Sequence, residues 1–302
     1  MKWISLERGF RQYLILERSL LPASVEAYGR DIAQWFRFLE AQAPKARIDT
    51  LTRHEHLLPF VYALAETGIS ARTQARMISS LRAFFDYLRE ERLIGHNPAE
   101  DLEAPRLSRK LPTVLSVEEV ERMLVAVDRS TREGERNYTM LELLYGSGLR
   151  VSELLGLGDR HLLPDLRMLR IIGKGQKERW VPVGEHAWEQ LERYRKGVLP
   201  HFPDTKEGRG YWFLNRRGRP LTRVMVFTIV KQLAMAASIP ARVSPHTFRH
   251  SFATHLIEGG ADLRVVQELL GHSSIITTEI YTHLDTSYLQ SVVKEYHPWS
   301  KK

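Results

Sequence analysis

The sequence predicts a mainly α-helical protein with an all-helical N-terminal domain and a mostly helical second domain that contains a small antiparallel β-sheet. Three observations carry this prediction. The 302 residues exceed the usual 100 to 200 residues of one domain. Apolar residues recur at helical spacing through the first third of the chain, and a strand–turn–strand pattern follows only later. A hydrophobic content of 43% is enough for ordinary cores, which excludes intrinsic disorder.

The domain boundary is predicted at a stretch rich in prolines and positive charges. Residues 104–112 contain two prolines, three basic residues and no acidic residue, which is a linker composition. Beyond it, Ser116 and Glu119 have the spacing of a capping box that starts a new helix. We therefore predict a first domain over residues 1–106, a linker over residues 107–112 and a second domain over residues 113–302.

Two long helices are expected in the first domain. Their apolar residues at helical spacing are Tyr28, Ile32, Trp35, Phe36 and Leu39, and then Ile78, Leu81, Phe85 and Leu88. On the second helix, Arg72, Arg76, Ser79 and Ala83 fall on the opposite side at about 100° per residue. This basic face is either a solvated surface or a face that enters a DNA groove.

The second domain begins helical and then shows a β-hairpin. Residues 167–172 and 177–183 have strand character, and Gly173-Lys174-Gly175-Gln176 between them has turn chemistry. Residues 211–214 are also strand-like. Helices are predicted over residues 222–237, 245–258, 263–270 and 275–284, the second with Ser244 as N-cap and Pro245 as its first residue, and the third closed by Gly271.

Charge and cysteine content narrow the possible functions. The formal net charge is +8, with 17 basic and 14 acidic residues before residue 111 and 27 against 22 after it; both halves therefore suit a polyanionic partner. The absence of cysteine excludes disulfides and thiol chemistry. Charges come too early for a signal peptide, and no apolar run is long enough to span a membrane. We expect a cytoplasmic protein with no membrane partner.

Phosphate chemistry without cysteine calls for a hydroxyl nucleophile beside fixed cations. His246 and Arg249 lie at i and i+3 on one face of a predicted helix, whereas Phe248 and Phe252 point into the core. A metal-dependent nuclease built on His246, His250 and His255 is the competing hypothesis. Arg249 would set a cation beside such a metal, and the sequence has no His-Glu-x-x-His motif.

A series of motifs gives this pair a context. They are Gly146-Ser147-Gly148-Leu149-Arg150-Val151-Ser152-Glu153-Leu154, Gly173-Lys174-Gly175, Ser244-Pro245-His246-Thr247-Phe248-Arg249-His250, Leu269-Leu270-Gly271-His272, and Thr277-Thr278-Glu279-Ile280-Tyr281-Thr282-His283-Leu284. In order, spacing and residue identity, the series resembles the motifs of the tyrosine recombinases of the phage integrase family, most closely those of the Xer-type site-specific recombinases. The resemblance extends over nearly the whole chain, and its first domain is the core-binding domain of that family.

The resemblance implies a catalytic role for six residues: Arg150, Lys174, His246, Arg249, His272 and Tyr281. Tyr281 would attack a DNA phosphodiester and form a 3′-phosphotyrosine, while the arginines would clamp the phosphate and Lys174 would protonate the leaving 5′-oxygen. The histidines would bond the other phosphate oxygens and assist deprotonation of the tyrosine. Glu153 would orient Arg150 without taking part in the chemistry. No metal and no other cofactor is implied.

The resemblance also implies partners. These are double-stranded DNA with a specific recombination site, a homo- or hetero-tetramer formed with itself or a paralogous recombinase, and a septal DNA translocase. Arg72, Arg76, Arg219 and Arg223 are the predicted DNA contacts. The expected reaction passes through a Holliday junction and resolves chromosome or plasmid dimers at cell division.

Several alternatives remain at this point. The chain could be a mobile-element integrase, a topoisomerase that relaxes DNA by similar chemistry, or a DNA-binding protein that has lost catalysis. Family members hand a C-terminal helix to the neighbouring protomer. Residues 286–296, with apolar Leu289, Val292 and Val293, suit that exchange or pack on their own domain.

Overall fold

The computed structural model describes residues 3–106, 113–172, 178–240, 242–271 and 286–301. The chain divides into two units, Met1–Lys110 and Leu111–Lys302. The regular secondary structure in the described residues of the first unit is all helical, and the second unit combines helices with a three-stranded antiparallel sheet. This architecture confirms the predicted fold class.

The first unit is built from α1 (Trp3–Leu16), α2 (Pro22–Gln42), α3 (Leu58–Glu66) and α4 (Ala71–Glu90), with short irregular helical turns at Ile48–Thr50 and Arg53–Leu57. Its core is aromatic, because Phe10, Trp35, Phe84 and Phe85 are fully buried and meet edge to face. The predicted apolar faces of α2 and α4 are the faces that α2 and α4 turn toward each other.

The basic face of α4 is narrower than the sequence predicted. Arg72 and Ser79 are exposed, but Ala83 is buried. Arg76 turns toward α2 and pairs with the carboxylate of Asp31, which is 4% exposed and also accepts a bond of 2.7 Å from Ser80 Oγ. A buried carboxylate requires a charged partner, so part of the charge of Arg76 is used to stabilise this unit.

The helices of the second unit are α5 (Val117–Val125), α6 (Arg132–Gly146), α7 (Val151–Leu155), α8 (Glu185–Gly197), α9 (Arg223–Ala236), α10 (Pro245–Glu258), α11 (Leu263–Leu270) and α12 (Thr286–Tyr296). Short 3₁₀ turns lie at Asp159–His161, Pro164–Leu166, Leu199–His201 and Pro298–Lys301. The sheet has the order β1 (Leu162–Leu163), β2 (Met168–Ile172) and β3 (Glu178–Pro182). None of the helices in the described ranges is long and apolar enough to cross a bilayer.

The sheet contains the predicted hairpin and differs from the prediction in two places. Strands β2 and β3 pair with Met168 opposite Pro182 and Ile172 opposite Glu178, as the hairpin prediction required. Strand β1 was not predicted, because a two-residue strand has no periodicity to detect. The strand predicted over residues 211–214 is wrong: it contributes one bridge, from Leu214 to Pro220.

The C-terminal helix α12 packs against α10 and β3 of its own unit. Leu289, Val292 and Val293 are at most 5% exposed and join a small core that includes Phe252 and Leu256. The apolar face that suits exchange between protomers is therefore satisfied within one chain in this structure. Exchange remains a prediction.

Candidate active site

A tight turn at the end of α6 positions Arg150 as the residue that precedes α7. Gly148 in this turn has φ +59, and a Cβ there would lie 2.4 Å from Cδ1 of Phe252. Only glycine combines this left-handed backbone with such close approach of α10. Ser147 Oγ donates to the Leu143 carbonyl at 2.7 Å, which closes the end of α6. The turn thus aims Arg150 toward the end of α11.

Arg249 is buried on the inward face of α10, close to Arg150. Its residue exposure is 7%. Nη1 donates to the Gly148 carbonyl at 2.7 Å and Nη2 donates to the Leu270 carbonyl, so the guanidinium joins the turn before α7 to the end of α11. Burial, together with the neighbouring charge of Arg150, lowers the pKa of Arg249 to about 10. It therefore stays charged at neutral pH.

Glu153 is the acidic centre of the site. Its side chain is 7% exposed. Its carboxylate accepts from the backbone N–H of Arg150 at 2.8 Å and from Arg150 Nη1 at 2.9 Å. Arg249 Nη1 stands 4.0 Å from the same carboxylate. Burial raises the pKa of Glu153, but the bonds and charges of Arg179 and Arg150 outweigh it and hold the pKa at about 2. Glu153 is therefore ionised at neutral pH and is bonded to Arg150; its role in orienting Arg150 for catalysis stays a prediction.

The structure adds one residue that the sequence analysis did not single out. Arg179, on β3, donates from Nη1 and Nη2 to the two oxygens of Glu153, each at 2.8 Å. The sequence holds a signal that identifies Arg179. Residues two apart on a strand share a face, so Arg179 lies on the same inward face as buried Val181. A cation at an inward strand position implies a carboxylate partner.

His246 lies at the first turn of α10, on the exposed side, within 6.5 Å of the Phe227 ring. Partial burial, and to a smaller extent the charges of Arg249, His250 and Arg150, lower the pKa of His246. His246 is therefore a neutral imidazole near pH 7, able to accept or donate one hydrogen bond.

A cleft of about 440 Å³ opens between these groups and α11. Arg150, His246 and Arg249 line it, together with apolar side chains that include Ile257 of α10 and Leu263 of α11. Three guanidinium groups surround one carboxylate, which leaves a net positive charge next to the cleft. Planar guanidinium forks in this setting bind an oxyanion such as a phosphate.

Of the predicted catalytic residues, the structure brings together Arg150, His246 and Arg249 around one cleft. Glu153 is bonded to Arg150 and lies 4.0 Å from Arg249. Lys174, His272 and Tyr281 lie outside the described residues, so their predicted roles are not tested by these contacts. Gly271, whose φ of +64 ends α11 as predicted, directly precedes His272.

The predicted DNA contacts lie on exposed surface with one exception. Arg219 belongs to a tight turn in which its backbone pairs with Asn215, and Arg223 is the first residue of α9; both side chains are exposed. Arg72 is exposed at the start of α4. Arg76 is the exception, being partly committed to Asp31.

His255 does not join the face that the metal hypothesis required. It is buried, and its Nδ1 lies 2.8 Å from Tyr145 Oη, with which it forms a hydrogen bond. His250 is exposed on the cleft side. The third histidine of that hypothetical site is thus part of the core.

Comparison with known proteins places this geometry in a family. A sequence model of the phage integrase family matches residues 113–287, more than half of the chain. A second model, the N-terminal SAM-like domain of phage integrases, matches residues 8–92. The chain is 43% identical to a protein named tyrosine recombinase XerD from Chlorobaculum tepidum, over 98% of this chain and 97% of the relative.

Solved structures share the fold. The Tn1549 transposon integrase in complex with circular intermediate DNA gives a TM-score of 0.69 at 21% identity, covering 95% of this chain and 98% of the other. The XerH site-specific recombinase bound to its difH substrate gives 0.67 at 23% identity, covering 99% and 85%.

The family matches and the full-length relative confirm what the motif series predicted, and they leave the metal-dependent nuclease without support. The chain belongs to the phage integrase family and is a tyrosine recombinase, an enzyme that breaks and rejoins DNA strands.

Proposed function

We propose that this chain recombines a specific DNA site, with Tyr281 as the nucleophile and Arg150 and Arg249 as the clamp on the scissile phosphate. The observation that carries this proposal is the pair of guanidinium groups fixed beside one cleft by Glu153 and by three main-chain carbonyls. Their remaining N–H donors are free to meet the oxygens of a phosphodiester, in which negative charge develops during transfer.

In the proposed step, the Tyr281 oxygen attacks phosphorus and the bond between phosphorus and the 5′-oxygen breaks. The tyrosyl proton leaves with help from His246 or His272, since imidazole exchanges protons near neutral pH. Lys174 gives a proton to the departing 5′-oxygen. The phosphodiester is conserved as a 3′-phosphotyrosine, which a 5′-hydroxyl from another strand attacks to rejoin the DNA. No external energy source is required.

A nicked suicide substrate tests this chemistry, because loss of the short 5′ fragment prevents religation and traps the covalent adduct. The wild-type chain should form the adduct, and Tyr281→Phe should not. Tyr288→Phe is the matched control, since Tyr288 is an exposed tyrosine seven residues further along, on α12. An adduct in Tyr281→Phe, or its loss in Tyr288→Phe alone, would refute the assignment of the nucleophile.

The roles of the cations have separate tests. Arg150→Ala and Arg249→Ala should slow cleavage at saturating DNA by at least about 100-fold, in line with loss of one fixed charge donor at a transition state, while DNA affinity changes much less. Lys174→Ala should regain cleavage on a substrate with a 5′-bridging sulfur, because a thiolate leaves without a proton. Failure of this rescue would remove Lys174 from the acid role.

The biological reaction we propose is resolution of chromosome or plasmid dimers in the cytoplasm, through a Holliday junction, by a tetramer of this chain alone or with a paralogous recombinase. It is supported by 43% identity over nearly the full length to a protein named XerD. A septal DNA translocase is the proposed regulatory partner. Mapping covalent adducts across the host genome should give one specific chromosomal or plasmid site; adducts at the ends of a mobile element would favour the integrase alternative.

DNA contacts are proposed at Arg72, Arg76, Arg219 and Arg223. Arg72, Arg219 and Arg223 are exposed, and Arg76 keeps a side-chain exposure of 40% despite its bond to Asp31. Because phosphate contacts release counterions, each contact should contribute about −0.9 to the slope of log K against log salt.

A further inference from the structure

We propose that Arg179 is a positioning residue for strand cleavage, which acts through Glu153 to set the orientation of Arg150. This inference rests on the proposed function of Arg150 as a phosphate clamp. Arg179 lies outside the six residues to which the motifs assigned a catalytic role. Its contacts join three segments of the site: β3, the start of α7 and the end of α11.

The contact between Arg179 and Glu153 has the geometry of a strong ion pair. Two parallel N–H···O bonds, each 2.8 Å long, join the guanidinium to both carboxylate oxygens. The side chains are 12% and 7% exposed, so water screens the pair little. A bidentate pair of this kind fixes the plane of the carboxylate as well as its position. Glu153 therefore cannot rotate about its terminal bond without breaking both bonds.

The fixed carboxylate controls how much of Arg150 remains for the DNA. Arg150 donates one side-chain bond to Glu153, from Nη1 to Oε1 at 2.9 Å, and its Nη2 donates to the Gly271 carbonyl at 3.1 Å. If Arg179 were absent, both oxygens of Glu153 could turn to Arg150 and form the bidentate pair with it instead. The N–H groups of Arg150 that bind the phosphate in our proposal would then donate to Glu153, and the guanidinium of Arg150 would tilt away from the cleft.

Arg179 also stabilises the segment that leads to His272 and Tyr281. Its Nε donates to the Leu269 carbonyl at 3.2 Å. A Cβ added to Gly271 would stand 2.9 Å from Cδ of Arg179, so the arginine stem packs directly on the glycine that ends α11. The same side chain thus fixes the carbonyl end of α11 and the partner of Arg150.

Two substitutions separate this role from others. Arg179→Met removes the charge and the fork but keeps a long side chain, and Arg179→Lys keeps the charge without the bidentate geometry. Arg170→Met is the matched control, because Arg170 lies on neighbouring β2 and its side chain makes one long bond of 3.4 Å to a backbone carbonyl. Each variant is assayed for single-turnover cleavage of a suicide substrate at saturating DNA and for DNA affinity.

We expect the cleavage rate of Arg179→Met to fall about 10- to 100-fold, by analogy with the loss of a group that orients a ligand at a metal site, with DNA affinity within about threefold of wild type. Arg179→Lys should be intermediate, and Arg170→Met should cleave like wild type. If Arg179→Met does not fold, Arg179→Lys decides: a rate within threefold of wild type refutes the proposal, and a larger loss at unchanged affinity supports it.

A double variant and a modified substrate identify the route of the effect. Because Arg179 acts through Glu153, Glu153→Gln with Arg179→Met should cleave no more slowly than the slower single variant, since residues that act as a unit are not additive. Multiplied defects would refute that route. A 5′-bridging sulfur substrate should not rescue Arg179→Met; rescue would show that Arg179 acts on the leaving-group acid instead.

Arg150→Ala, measured in parallel, separates a wrong phosphate clamp from a wrong role for Arg179. If Arg150→Ala cleaves like wild type, the proposed phosphate clamp is wrong. If Arg150→Ala is inactive while folded Arg179→Met stays within threefold of wild type, the clamp stands and only the role of Arg179 is wrong.

Discussion

Glu153→Gln should destabilise the second unit in a way that depends on pH. The carboxylate of Glu153 is surrounded by Arg150, Arg179 and Arg249 and is 7% exposed. An amide keeps a single acceptor oxygen and turns an N–H group toward guanidinium donors, so at least one charged bond of the network is lost and a buried cation is left without its counter-charge.

The pKa of Glu153 gives the size of the effect. A fall from the ordinary value of 4.5 to about 2 corresponds to about 3 kcal/mol at 1.36 kcal/mol per unit. Because the folded-state pKa is the lower one, this stabilisation is fully present above the unfolded-state pKa and is lost as the pH falls toward the folded-state value. The difference between wild type and Glu153→Gln should therefore shrink from about 3 kcal/mol at pH 7 to about 2 kcal/mol at pH 3.5.

Denaturant unfolding of the full chain, followed by tryptophan fluorescence at both pH values, measures this difference. Trp188 and Trp212 are buried in the second unit and report its transition. Glu189→Gln is the control, because Glu189 is exposed on α8 and should change stability by less than about 0.5 kcal/mol. A loss below 1 kcal/mol at pH 7, or a loss that does not change with pH, would refute the interpretation of Glu153 as a buried, permanently ionised centre.

Three further predictions concern the turn, the DNA surface and the C-terminal helix. Gly148→Ala should cost about 2 to 5 kcal/mol in denaturant unfolding, from the left-handed φ and the clash with α10, whereas Gly197→Ala, which meets nothing within 4 Å, should be neutral or slightly stabilising; equal effects would contradict the argument. Arg219→Ala with Arg223→Ala should flatten the slope of log K for DNA against log salt by up to about 1.8, and an unchanged slope would exclude both contacts. Deletion of residues 286–302 should expose the apolar groups that α12 covers and abolish cleavage; full activity would show that neither packing nor exchange of α12 is needed.

Local signals explain which parts of the fold were predictable. Helix α10 begins at Pro245 as predicted, because Ser244 is its N-cap and the backbone N–H of Ser244 is bonded by Thr247 Oγ1 at 3.0 Å. Helix α11 ends at Leu270, as predicted, since Gly271 adopts the left-handed conformation that terminates a helix. These boundaries depend on side chains within a few residues of one another, so sequence was sufficient.

Long-range contacts explain what was missed. The predicted strand over residues 211–214 does not form, because these residues are held by buried packing and by single bonds to other segments, such as the backbone N–H of Trp212 to the Leu157 carbonyl. Arg76 lies on the same face of α4 as Arg72, yet it pairs with Asp31 on α2 and keeps only a partly exposed side chain. Neither partner is near in sequence, and residue type alone does not reveal the pairing.

Local periodicity and motif order were enough to predict the helical class, the hairpin, the family and the six residues expected to carry the chemistry. The folded chain was needed to show that Glu153 is bonded by Arg179 as well as Arg150 and that Arg249 is held by carbonyls of two separate segments. A buried charge is stabilised by whichever groups the fold brings within hydrogen-bonding distance. In this chain those groups lie between 3 and 101 residues from it in sequence.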